Sequence, residues 1–296
     1  MKAKAYRGIM TALVTPIRED GSVNEEQLRR LIRFQIDNAV SSILMLGGTG
    51  EYPALTPEAR KQAITIAVSE AGGRVPIVAG IIAPGIGDTI EMALFAKEAG
   101  VASIMPVAPY YVNPTQQGFL DYFRRLDEAV DMPIFLYNIP YKTGVNMKPE
   151  TVEALLAAIP NIIGIKECSP DLGQFIDLLR RVGDKIAVLS GEEFLAVSEF
   201  ILGAQGAVMA SANLVPDVWV RMWELTQQGQ YRQAVDMSIA YYPLFKAIFK
   251  EGNPGPLKAA MNRIGLATGS VSTPLVDPSA ATIAELDAAM AALSVR

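Results

Sequence analysis

Short apolar runs rich in valine and isoleucine recur along the chain, separated by longer stretches whose apolar positions repeat with the period of a helix. The runs are GIMTALVTP (8–16), SILMLG (42–47), PIVAGII (76–82), ASIMPVAP (102–109), PIFLYN (133–138), IIGIKE (162–167), IAVLSG (186–191) and GAVMAS (206–211). They are apolar throughout, without in/out alternation, which is the pattern of parallel strands covered on both faces. Stretches such as NEEQLRRLIRFQIDNA (24–39), TPEARKQAITIAVSEA (56–71) and LGQFIDLLRRV (172–182) lie between them. They open on polar or proline-containing positions, and several end near glycine, as helices do. Eight strand–helix units predict an α/β fold, a (β/α)8 TIM barrel, over residues 1–225. The rival is an open doubly wound sheet, but no GxGxxG follows the first run, as that fold's nucleotide fingerprint would require. Beyond about residue 225 the strand pattern stops. Segments 230–250, 255–265 and 280–293 have helical character, so 226–296 is expected to be a C-terminal helical region with EGNPGP (251–256) as a turn between helices.

Composition narrows the partners. Half of the 296 residues are apolar, enough for one large core and too many for disorder. The 26 basic and 31 acidic residues give a net charge of −5, and no block of like charge is long enough to track a phosphate backbone, so nucleic acid is not an expected partner. The start, MKAKAYRGIMTALVTPI, is basic and then apolar, but its apolar part is short and broken by Thr11, Thr15 and Pro16; it is expected to be the first strand and not a leader. No stretch approaches about 18 uninterrupted apolar residues, so no membrane span is expected. Cys168 is the only cysteine, which excludes an intrachain disulfide and fits a reducing, cytoplasmic setting.

The absence of histidine changes the chemistry more than any other count. It removes Ser-His-Asp and Cys-His catalysis and takes away the ligand on which zinc and non-haem iron sites lean. No metal or cofactor is expected. Acid–base work falls to carboxylates, tyrosine or lysine.

In a β/α barrel the active site lies where strands end, so the ends of the runs carry the candidates. Of the eleven lysines, only Lys166 closes a long apolar strand. An ammonium group there loses solvation, which favours the neutral amine, and a neutral amine attacks ketones to form a Schiff base. The alternative is that Lys166 pairs with Glu167 or extends out of the barrel rim. Tyr137, in LYNIP at the end of the fifth run, is expected beside Lys166 across one strand pair. Its phenol could shuttle protons, with a pKa that a nearby ammonium would lower, or it could be a core aromatic. The loop GGTGE (47–51) has glycines that leave backbone N–H groups open, as in a phosphate cradle. Glu51 follows directly and no Lys or Arg is near in sequence, so a monoanion such as a 2-oxo acid carboxylate, held by Thr49, fits better than a dianion. A turn shaped only for packing is the remaining choice. Tyr110 and Tyr111 lie on a proline-stiffened loop, suited to an interface anchor, a catalytic role or both. Cys168, without a histidine or metal partner, is expected to be a small packing residue.

Taken in order, VTPIREDGSV (14–23), GGTGE, PYY, YNIPYKTG (137–144), GIKE, LSGEE (189–193) and NPGPLK (253–258) resemble the dihydrodipicolinate synthase and N-acetylneuraminate lyase family. The resemblance spans almost the whole chain. It implies a metal-free, class I lyase on a (β/α)8 barrel with a C-terminal helical region, assembled as a homo-oligomer, a dimer of dimers. By that resemblance Lys166 forms the Schiff base with pyruvate or another 2-oxo acid, Tyr137 handles protons, and Thr49 binds the keto acid carboxylate. Gly191 and Val208 fall at positions lining the pyruvate site. Tyr111 matches a tyrosine that crosses the dimer interface and completes a hydroxyl relay with Tyr137 and a threonine.

Two departures bear on the substrate. The relay threonine's place is Gly48, and Lys142 stands where synthases that condense aspartate semialdehyde usually carry arginine, keeping the charge but losing the bidentate fork. The stretches matching the lysine-inhibition pocket, YPALTPEAR and IIAPGIGD, lack its histidines and asparagine, so feedback inhibition by lysine is not expected. The nearest single expectation is a dihydrodipicolinate synthase-like lyase. A 2-keto-3-deoxy sugar acid aldolase or dehydratase is the alternative, since one iminium serves condensation, cleavage and dehydration alike. A non-catalytic metabolite-binding paralogue is the alternative of another class; Lys166, Tyr137 and Thr49 together argue against it.

Overall fold

A computed structural model describes residues 6–295; the basic start at 1–5 lies outside the described residues. The eight runs become β1 (Gly8–Ala12), β2 (Ser42–Met45), β3 (Ile77–Ile81), β4 (Ser103–Pro106), β5 (Ile134–Asn138), β6 (Ile162–Glu167), β7 (Ala187–Ser190) and β8 (Gly206–Met209). Each pairs in parallel with its sequence neighbours, and β8 closes on β1. Alternate residues face opposite ways, producing two cores. Met10, Leu44, Val78, Phe135, Leu189 and Val208 fill the barrel interior, while Ile9, Ile43, Ile104, Ile165 and Val188 pack outward on the helices.

Most strands are shorter than the apolar runs that predicted them. The first run extends to residue 16, yet β1 ends at Ala12. Beyond it the backbone leaves the ladder: Val14 N–H donates to Asn213 Oδ1 (3.0 Å), and Asn213 Nδ2 donates back to Ala12 O (2.7 Å). Such tails become the loops of the barrel mouth, buried but no longer strand.

Several helices start on caps that their sequences offer. Asn24 accepts from Gln27 N–H, Thr56 from Ala59 N–H, and Asp171 from both Gly173 and Gln174 N–H, opening Glu25–Asp37, Pro57–Ala71 and Leu172–Val182. Gly164 matters inside the barrel: a Cβ there would lie 2.2 Å from the Phe135 ring, so its absence lets Phe135 and Tyr6 meet edge to face at 4.9 Å.

The helix Pro216–Gln227 packs on β1 and carries the chain past residue 225 into Tyr231–Ile248, Gly255–Arg263 and Ala280–Ala292. Trp219, fully buried, stacks on Phe245 at 4.9 Å and joins the barrel to this helical region; such a pair contributes about 0.5–1.5 kcal/mol beyond its buried area. Among the described residues no helix is long and apolar enough to cross a membrane.

Candidate active site

A cavity of about 400 Å³ opens at the C-terminal mouth of the barrel. Lys166 and Tyr137 line it from β6 and β5, and Val208 from β8. Gly48 and Thr49 enter from the loop after β2, Lys142 from the turn Pro140–Thr143, and Gly191 from the end of β7. Seven of the eight site residues expected from the sequence therefore meet in one place.

Lys166 and Tyr137 are direct register partners across β5 and β6, and the Lys166 amine sits 4.5 Å from the centre of the Tyr137 ring. Both are buried. The next residues, Asn138 and Glu167, are also register partners and point the other way. Glu167 accepts from Asn138 Nδ2 (3.0 Å), from Ser169 N–H (2.7 Å) and from Gln174 Nε2 (3.3 Å). It is thus held behind the barrel wall, and the pairing of Lys166 with Glu167 allowed by the sequence does not occur. Burial pushes the Glu167 carboxyl up to about 7 against the pull of those donors.

The phenol corrects an expectation. Burial drives the Tyr137 pKa well above its ordinary value, and Cys168, Glu192 and Glu193 push it further in the same direction. The lysine amine does not offset this, because it lies over the ring face. Tyr137 is therefore a neutral hydroxyl and not a ready phenolate.

Thr49 is buried, and its Oγ1 accepts from Asn253 Nδ2 at 3.0 Å. Glu51, expected to repel a dianion from this loop, turns away instead. Its carboxylate is fully buried, 2.5 Å from Lys258 Nζ, and accepts from Ser272 N–H (2.6 Å). Burial pulls the Lys258 pKa down while Glu51 holds it up. The charge of Glu51 is thus neutralised from far along the chain and does not face the cavity.

Glycine at 191 is required by contact. A Cβ there would stand 2.1 Å from Cys168 Sγ, and 3.0 Å from both Lys166 Cε and Glu167 O. Cys168 is the packing residue the sequence suggested: its thiol is buried and burial holds it well up, so it remains protonated. The following acids shape the far side of the cavity. Glu192, half-buried, accepts from Tyr141 Oη (2.9 Å), and Glu193, buried, accepts from Ala210 N–H (2.7 Å) and Ser211 N–H (3.1 Å). Burial raises both, Glu193 to about 7.

Tyr111 is the exception among the expected residues. It is 91% exposed, with φ +74°, and does not reach the cavity of its own chain. Its neighbour Tyr110 donates to Ile82 O (3.3 Å) beside a separate cavity lined by Tyr52, Arg60 and Asp88. Sequence reasoning gave no role to Asn253, Lys258, Glu192 or Glu193. The last two were within reach, since they follow Gly191 at a strand end; Asn253 comes from a turn and Lys258 from the helix Gly255–Arg263, and neither carries a strand-end signal.

Comparison with known proteins agrees with this geometry. The model of the dihydrodipicolinate synthetase family matches residues 5–293. A 4-hydroxy-tetrahydrodipicolinate synthase of Maridesulfovibrio salexigens is 34% identical over 287 residues, covering 97% of this chain and 98% of that protein. Among solved structures, dihydrodipicolinate synthase from Aquifex aeolicus superposes with a TM-score of 0.95 at 32% identity, covering 98% of this chain and 99% of the other. The chloride-inhibited synthase from Acinetobacter baumannii, complexed with pyruvate, gives a TM-score of 0.94 at 32% identity, covering 98% of this chain and 100% of the other. With its closed barrel, C-terminal helices and match over nearly its whole length, the chain belongs to the dihydrodipicolinate synthetase family, a family of Schiff-base lyases.

Proposed function

We propose that Lys166 attacks the keto carbon of pyruvate or a closely related 2-oxo acid. Its amine adds to C2, the carbinolamine loses water to give an iminium, and loss of a C3 proton gives an enamine whose C3 attacks an aldehyde. Tyr137 passes protons to the departing water and to the new alkoxide, while Thr49 and neighbouring backbone N–H groups hold the carboxylate. The observation that carries this reading is the buried Lys166 amine, register-paired with Tyr137 and open to the cavity, while the adjacent Glu167 is bonded behind the wall. The pyruvate found with the Acinetobacter baumannii synthase supports the same substrate here.

The test is reductive trapping. Pyruvate with borohydride should leave a stable mass increase on the peptide containing Lys166, and Lys166→Ala should abolish it. An adduct that survives Lys166→Ala, or none in the unaltered protein, would sink the reading.

For the aldehyde partner, aspartate semialdehyde is the first choice, as the names of the relatives suggest. A second reading, cleavage or dehydration of a 2-keto-3-deoxy sugar acid, draws on Gly48, which offers no hydroxyl, and on Glu192, an acceptor suited to substrate hydroxyls at the cavity. A panel of aspartate semialdehyde with pyruvate against several such acids and N-acetylneuraminate separates the two. The exposed, positive-φ Tyr111 fits a residue that completes the site of a second subunit, in a dimer or tetramer within the cytoplasm.

A further inference from the structure

The stretch 249–258 lies outside the barrel strands, yet Phe249, Glu251, Gly252 and Asn253 line the active-site cavity. It is held from two sides. Glu251 accepts from Ser279 N–H (3.1 Å) and Ser279 Oγ (2.6 Å) and from the Thr282 hydroxyl, at the start of Ala280–Ala292. Lys258, at the other end, is paired with Glu51 and donates to Ser270 O (3.0 Å). Asn253 is thereby presented to Thr49 on a segment anchored to the C-terminal helix and to the base of the GGTGE loop.

A threonine hydroxyl has one proton and two lone pairs. Asn253 Nδ2 donates to Thr49 Oγ1, so one lone pair is taken and the proton cannot point back along that bond. It is left for an acceptor on the cavity side. The other end of the amide, Oδ1, is buried without a donor. That arrangement is costly for an amide whose only task is structural, and a reversed amide would instead consume the threonine's proton. Building on the reading of Thr49 as the carboxylate-binding residue, we propose that Asn253 is a positioning residue for the 2-oxo acid: it fixes the Thr49 hydroxyl as a donor to the substrate carboxylate. The C-terminal region is then part of substrate recognition.

The test compares two ketones, pyruvate and uncharged hydroxyacetone, in the borohydride trapping of Lys166. Asn253→Ala should raise the half-saturating pyruvate concentration about five- to twentyfold, less than the loss of a whole hydrogen bond to a charged acceptor because Thr49 keeps its hydroxyl, with the maximal trapping rate within about twofold. Half-saturation by hydroxyacetone, which has no carboxylate, should stay within about twofold. Asn253→Asp should be worse for pyruvate, because a carboxylate only accepts and adds a negative charge beside the substrate's own. In a Thr49→Val background Asn253→Ala should add nothing, since no hydroxyl remains to be oriented.

Equal shifts for the two ketones, or additive effects in the Thr49→Val background, would overturn the role of Asn253 while leaving the Schiff base intact. No pyruvate adduct in the unaltered protein would overturn the site reading and this inference with it. Should Asn253→Ala not fold, Asn253→Leu, close in volume and without a donor, carries the same comparisons.

Discussion

Replacing Gly191 by alanine adds one methyl group where Lys166 and the lone cysteine meet. The new Cβ would fall 2.1 Å from Cys168 Sγ and 3.0 Å from the Glu167 carbonyl oxygen and Lys166 Cε. Carbon atoms normally settle at about 3.5–4.0 Å, so the thiol must move by more than an ångström. Overpacking of this kind costs about 1–3 kcal/mol, which in a chain of this size lowers the melting temperature by several degrees. The effect on rate should be larger than the effect on stability, because Lys166 Cε is one of the three atoms displaced. A misplacement of about 1 Å at the nucleophile costs on the order of a hundredfold.

The cause can be isolated by a second change. Cys168→Ala removes the worst contact and leaves space for the alanine methyl, so the double variant should recover most of the lost stability. Its rate should recover only in part, since the approaches to Lys166 Cε and Glu167 O remain. Thermal unfolding and the rate of borohydride trapping, measured on both single variants and the double, give a coupling of about 1–3 kcal/mol in stability. If Gly191→Ala melts and reacts like the unaltered protein, or if the two changes are additive, the contact reasoning is wrong.

Gly48→Thr should be tolerated, because a Cβ there meets nothing within 4 Å, and should raise the rate of aldol condensation if the missing hydroxyl limits proton transfer; an unchanged rate would show that the gap is filled by other means. Lys258→Met leaves the Glu51 carboxylate buried without its partner and should cost about 3–5 kcal/mol in denaturant unfolding, much of it regained in Lys258→Met with Glu51→Gln. Glu199 is fully buried, burial pushes its carboxyl up to about 8 against the pull of the Ser190 hydroxyl, and neither oxygen meets a donor in bonding geometry. Glu167 and Glu193 are raised to about 7. For a carboxyl raised by folding, stability is complete below the ordinary value of about 4.3 and is lost as pH climbs through the raised one. The melting temperature should therefore fall between pH 5 and pH 9, and Glu199→Gln should flatten the upper part of that fall; an unchanged slope would remove Glu199 as a cause.

The barrel was legible because the strands are apolar on both faces and several helices open on a polar cap or a proline, both local properties of the chain. Strand-end reasoning brought Lys166, Tyr137, Thr49 and Gly191 together for the same reason: a parallel barrel puts all C-terminal strand ends at one mouth. What lay beyond it was set by distance along the chain. Glu51 looked like an exposed obstacle to anions because Lys258, which neutralises it, is on a helix with no visible link to the loop. The phenol of Tyr137 was expected to be acidified by its neighbour, but whether an amine sits beside a hydroxyl or over a ring face depends on side-chain placement that strand order does not reveal. Tyr111 shows a limit of another kind: it stands exposed, away from the cavity of its own chain, and strand order says nothing of where a loop side chain will point.

The back-to-back pairing of Tyr137 with Lys166 and of Asn138 with Glu167 has a consequence for how the chain folds. Side chains alternate along a strand, so β6 closing one residue out of step would turn the amine out among the helices and a carboxylate into the mouth. It would also strip Glu167 of the donors from Asn138, Ser169 and Gln174. The same slip therefore takes the amine out of the cavity and leaves the carboxylate without its donors.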